Sequence, residues 1–218
     1  MRRVFGIGLF VIALNCSAGA VPELCGLGLP PGSPGFAEDE ARTEAEARKY
    51  GFLRVCDANL SRYDISFGSL ESAILGLAFE PVQLSQTGFS QFRSLGAQAE
   101  VVGEMKSRLY RGFRMPDGHT VTLFEHDMSA DGARSSRDPK DELERINGLP
   151  ARLVILQASS GKAISHLSWT EGRRNYELWI DANVARHPLR VTLFALAASL
   201  PASIVAFPNE PECGKKCH

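Results

Sequence analysis

Three groups of side chains in this sequence have the types and spacing for chemistry. The densest is Glu125-His126-Asp127. In an extended strand successive side chains alternate between faces, so Glu125 and Asp127 point one way and His126 the other. Two carboxylates on one face, joined by Asp131 from the following loop, supply oxygen ligands of the kind that holds calcium. The competing reading is a charged strand end that runs into a charged loop. The second group is His166, Ser168, Glu177 and Trp179. If their segments form a hairpin with a two-residue turn, His166 comes near Glu177, and a carboxylate beside an imidazole can orient it as a general base. The plainer alternative is an ordinary cross-strand pair. Ser168 and Trp179 fall on the same face, and an exposed Trp179 would mark a ligand or partner surface unless another segment covers it.

The third group is the cysteines. Setting Cys16 aside with the leader described below, Cys25, Cys56, Cys213 and Cys217 remain. An even number in an exported chain reads as two disulfides. Sequence does not choose among the connectivities: Cys25–Cys56 with Cys213–Cys217 is the simplest, whereas bridging the two ends would constrain more of the unfolded chain. The tail Cys213-Gly214-Lys215-Lys216-Cys217-His218 is one residue longer between its cysteines than a covalent haem attachment motif, and it reads as a stapled end. There is no G-x-S-x-G elbow, no H-E-x-x-H helix, no phosphate-cradling loop and no paired C-x-x-C, so no cofactor is implied. Carboxylate hydrolases have no short signature, and they stay open.

The elements that must position these residues come from turn chemistry and periodicity. Met115-Pro116-Asp117-Gly118 separates two extended runs, Lys106–Arg114 and His119–Met128. Ala130–Arg145 is heavily charged and reads as a solvated loop with room for one helical turn. Asn147-Gly148, Ser160-Gly161 and Glu171-Gly172 then punctuate three more runs, Ala151–Ala158, Ala163–Thr170 and Arg174–Asp181. Five strands joined in this way predict an antiparallel meander. Leu167 and Trp169 share one face, matched by Tyr176 and Leu178, and that face should pack on a final helix from Pro188 to Leu200. This helix is apolar nearly all round, which predicts burial. Nearer the start, Ser33 and Pro34 open a helix to Tyr50, with acids in its first turn and bases in its last. Its apolar stripe is thin, so it should lie on the surface. Between Asp64 and Gly96 only a short helix on Leu70, Ile74 and Leu77 is legible, with Gly76 inside the pattern and Pro81 ending it. The arginines Arg108, Arg111 and Arg114 around Tyr110 divide between two strand faces and read as a solvated surface. The fold class is therefore α+β: an antiparallel sheet of about five strands with helices on one face, forming one domain from 36 to 218 after an irregular lead-in over 21–35.

The first twenty residues have the form of a signal peptide. Arg2 and Arg3 precede the apolar run Val4–Leu14, and Ala18-Gly19-Ala20 suits a signal peptidase. The run is too short to span a bilayer, which needs about 20 apolar residues. Lipidation at Cys16 is the alternative, disfavoured by Asn15 before it. Losing Arg2 and Arg3 takes the formal net charge from −1 to −3, which gives no electrostatic case for nucleic acid or for an anionic membrane surface. A periplasmic or secreted bacterial protein, without stable membrane insertion after cleavage, is expected.

The series Gly148, strand, Leu167-Ser168-Trp169, turn, Tyr176-Glu177-Leu178 and an apolar helix ending Ala198-Ser199-Leu200 resembles the closing hairpin-plus-helix module of uncharacterised bacterial envelope lipoproteins and of anti-sigma-type extracytoplasmic domains. The resemblance covers the last third of the chain and implies a non-catalytic sensing or binding domain, although no membrane anchor accompanies it here. Two functions follow as expectations. The first is an exported binding or interaction protein, such as an inhibitor, an immunity factor or an envelope sensor, whose partner is another protein or an envelope component. The second is an envelope hydrolase that uses carboxylates or His166.

Overall fold

The structure, a computed structural model, describes residues 29, 32–135, 139–185 and 188–202. The leader, Cys25, Cys213 and Cys217 lie outside the described residues. Helix α1 (Phe36–Tyr50) leads into the short strand β1 (Leu53–Val55), the one-turn helix α2 (Asp57–Leu60) and α3 (Leu70–Ile74). Strands β2 (Arg93–Val102), β3 (Met105–Arg114) and β4 (Thr120–Asp127) follow, then α4 (Met128–Asp131), β5 (Glu144–Ile146), β6 (Leu149–Ala158), β7 (Ala163–Glu171), β8 (Arg174–Ile180) and α5 (Leu189–Ala198). The class is α+β, but among the described residues the sheet has eight strands and is mixed, because β1 pairs parallel to β6 while every other named pair is antiparallel.

All five expected strands form, yet they do not make a meander. The order across the sheet is β1-β6-β7-β8-β4-β3-β2, with β5 also on β6. Strand β8 returns to pair with β4, and the chain passes from β4 to β5 and β6, which lie on the far side of β8 and β7. Turn signals fix which neighbouring runs form hairpins; they say nothing about where a connection long enough to cross two strands sets down. The three added strands were hidden for local reasons. Two of them, β1 and β5, are three residues long, and β2 carries Gly96 at φ +109 with a register shift beside it. Strand β5 is joined to β6 through Asn147 (φ 49) and Gly148 (φ +85), the positive-φ pair that a two-residue hairpin requires.

One face of the sheet carries the main core. Leu123, Leu167, Leu178 and Ile180 pack with Leu193 and Leu196 of α5, and Trp169 stacks on Tyr176 at 5.3 Å between ring centroids. The expectation for that hairpin and its helix therefore holds, with one correction. Val191 of α5 is 75 % exposed, so the helix buries a single stripe rather than its whole circumference. Helix α1 lies on the surface with no buried residue, and it begins behind Gly35 at φ 79 rather than at a Ser33 side-chain cap.

Helices do not keep to one face. Leu60 of α2 and Tyr63 of the turn after it cover part of the opposite face, against Phe124, Leu156, Ile164 and Trp179. Close approach of the following segment is possible because two positions under it lack side chains. A Cβ on Gly96 would sit 2.0 Å from the Gly68 carbonyl oxygen, and one on Gly112 would sit 2.3 Å from the Phe67 ring.

Candidate functional site

Strand alternation sends Glu125 and His126 to opposite faces, and the two faces give them different fates. Glu125 is fully buried among the core side chains. Its Oε2 accepts from Arg111 Nη2 at 2.5 Å, its Oε1 accepts from the Val82 backbone N–H at 2.9 Å, and Arg174 Nη1 stands 3.6 Å away. Arg111 also donates to the Val82 carbonyl and Arg174 to the Glu80 carbonyl, so the segment 80–82 is clipped to the sheet by three charged groups. Burial pushes the Glu125 carboxyl up and the Arg111 guanidinium down, and their mutual contact opposes both shifts. Arg111 is thus a core residue, which corrects its reading as part of a solvated arginine surface.

The three carboxylates expected around a calcium ion are separated. Glu125 is in the core. Asp127 caps α4 by accepting from the Ser129 N–H at 2.9 Å. Asp131 accepts from Ser107 Oγ at 2.6 Å and holds His126 Nε2 at 2.8 Å. Burial would raise the Asp131 carboxyl, but Ser107, His126 and the Ala133 N–H together bring it down to about 2. Among the described residues no group of three metal-ligating side chains converges.

On the other face, the return of β8 to β4 joins what the sequence kept apart. Asn175 is the register partner of His126, and Glu177 that of Phe124; across β7, Ser168 stands opposite Glu177 and His166 opposite Trp179. His166 reaches Glu177 diagonally, Nε2 to Oε2 at 2.7 Å, and Asn175 Nδ2 donates to Glu177 Oε1 at 3.0 Å. The row continues onto β3 and β2, where Glu100 accepts from Arg108 Nη1 at 2.9 Å and from the Tyr110 hydroxyl at 2.6 Å. Burial and the Glu100 carboxylate both keep that hydroxyl protonated.

A groove runs along this row. Its wider chamber, about 590 Å3, lies between the sheet and the crossing segment, with Ser168, Glu177, Arg152, Asp141 and Glu142 in its walls. A second chamber of about 260 Å3 is bounded by Arg62, Tyr63, Tyr110, Phe124 and Trp179. Arg108, His126, Asn175 and Glu177 line both chambers.

Four of the residues read from the sequence as one cluster, His166, Ser168, Glu177 and Trp179, do share this face. Trp179, however, is 6 % exposed. Tyr63 packs edge-on against it at 5.4 Å and against His166 at 5.9 Å. The exposed-tryptophan surface does not exist, and the covering segment foreseen as its alternative does. His126, Arg108 and Asn175 belong to the site through a strand pairing that no local pattern announces. Arg152 and Tyr110 show only strand alternation in sequence.

Chemically, the groove offers one imidazole hydrogen-bonded to a carboxylate, His126, and a second, His166, 2.7 Å from one, with guanidinium and amide donors between them. That suits recognition of a polar ligand through hydrogen bonds, or proton transfer by an oriented histidine. Compared with models of known families, with curated proteins and with solved structures, the chain matches none.

Proposed function

We propose that the protein is an exported, non-catalytic binding protein of the bacterial envelope, acting as an inhibitor, immunity factor or sensor, with the groove on the β3-β4-β8-β7 face as its ligand seat. The observation that carries this reading is the shared lining of the two chambers. Arg108, His126, Asn175 and Glu177, drawn from three strands, face one groove. Each has a neighbour that orients it, which is the preorganisation that a binding site needs. The leader, the four remaining cysteines and the hairpin-plus-helix resemblance support the envelope setting.

A hydrolase is the second reading, favoured by the 2.7 Å contact between His166 and Glu177 with Ser168 on the same face. One experiment separates the two. The protein is titrated with the small-molecule fraction of an envelope extract while the two indole N–H resonances are followed, with Trp169 in the main core as the control. A binder shifts Trp179, returns the ligand chemically unchanged and still binds after His166→Asn. Appearance of a product that His166→Asn abolishes would establish the hydrolase instead. No perturbation of Trp179 by any fraction counts against the groove.

A further inference from the structure

We infer that the smaller chamber takes a small oxyanion, the carboxylate or phosphate group of a soluble ligand; this rests on the groove being the ligand seat. The acceptors around the chamber are already engaged. Glu177 takes Asn175 and stands 2.7 Å from His166 Nε2, Glu100 takes Arg108 and Tyr110, and Asp131 takes Ser107 and pairs with His126. What stays unpartnered among the described side chains here are ring and guanidinium nitrogens: Nε of Arg108, the indole Nε1 of Trp179, on a residue more than nine-tenths buried, and, beside the chamber, Nε2 of His166, which is close to Glu177 without hydrogen-bond geometry. A buried donor without an acceptor keeps its desolvation cost uncompensated, so a group that supplies acceptor oxygens is favoured over one that supplies donors.

Charge narrows the class further. Glu100 occupies Nη1 of Arg108, which leaves the Nε side of a planar guanidinium, the geometry that matches carboxylate and phosphate oxygens. Arg62, exposed on the rim and lying over the Tyr63 ring at 5.3 Å, adds a second cation. Both features favour an anion over a neutral acceptor. The Tyr63 ring packs edge-on against the indole, and it is borne on a three-residue 3-10 turn.

The chamber's size, about 260 Å3, suits a phosphate or carboxylate with a short organic remainder. The test is a titration of the oxidised protein at low salt, read at the two indole N–H resonances, with inorganic phosphate, glycerol phosphate, acetate and its neutral isostere acetamide, and with phosphatidylglycerol vesicles. We expect saturable shifts of Trp179 but not Trp169 by at least one soluble anion, and none by acetamide. Arg62→Ala and Arg108→Gln should each weaken binding about tenfold or more, and Trp179→Phe, which keeps the ring and loses the N–H, several-fold. Arg62 is exposed, so Arg62→Ala, read beside Arg62→Lys, which keeps the cation over Tyr63, decides the matter even if Arg108→Gln unfolds the protein. Response to vesicles alone would overturn the soluble ligand in favour of a lipid head group. Equal binding of acetamide and acetate, or binding indifferent to Arg62→Ala, would overturn the anion while leaving the groove as a binding site. Absence of a Trp179 shift with every one of the soluble anions would overturn the anion as well.

Discussion

At the residue scale, neighbouring positions on one strand have opposite roles because a strand has two faces. Glu125 is a core ion-pair residue and His126 a groove residue, although they adjoin in sequence. Removing one member of a buried, hydrogen-bonded pair strands the other charge. Glu125→Ala should therefore cost about 3–5 kcal/mol, measured by denaturant unfolding, whereas replacing Arg111 and Glu125 together with apolar residues should cost clearly less. Asp131 makes a different prediction. Its carboxyl is held at about 2 in the folded protein against an ordinary 3.8. A depressed carboxyl stabilises the fold above its unfolded value and loses that contribution as pH falls through the folded one. Stability should thus decline between roughly pH 4 and pH 2, and Asp131→Asn should reduce that decline while also loosening His126. An unchanged acid profile in the variant would refute the link.

At the scale of elements, the cover over Trp179 depends on how closely the chain from Asp57 to Gly68 lies on the sheet. Gly68 pairs with Ala97 by two backbone hydrogen bonds, 2.9 and 3.0 Å. At Gly96 an added Cβ would meet backbone, and its φ of +109 already disfavours any other residue; at Gly112 the obstacle is a phenylalanine ring, which can turn away. Gly96→Ala should consequently destabilise more than Gly112→Ala, by about 1 kcal/mol or more in chemical denaturation. The reverse order would mean that the segment is not held by the Gly68–Ala97 pairing. The predicted hairpins and final helix were legible because each was specified locally, by a turn and a period. Strand β2 was not, since a glycine with a register shift interrupts its alternation, and β1 and β5 are too short to show any.

At the scale of the whole molecule, the proposed export and oxidation are tested by intact mass. Protein recovered from a bacterial envelope should begin at Val21 and expose the thiols of Cys25, Cys56, Cys213 and Cys217 to alkylation only after reduction. A chain beginning at a lipidated Cys16, or thiols free before reduction, would remove the export-and-staple reading without touching the groove. Sequence alone determined the leader-like start, the near-neutral charge, five of the eight strands, the hairpin that sets His166 beside Glu177, and the helix that covers its back. Those features are set by composition or by interactions within a few residues. Only the tertiary structure decided that β8 lies against β4, that Glu125 enters the core, and that Tyr63 covers Trp179. Each of these joins residues tens of positions apart. Such contacts are settled by which packing buries the most apolar surface with every buried charge satisfied, a property of the whole chain that no local pattern encodes.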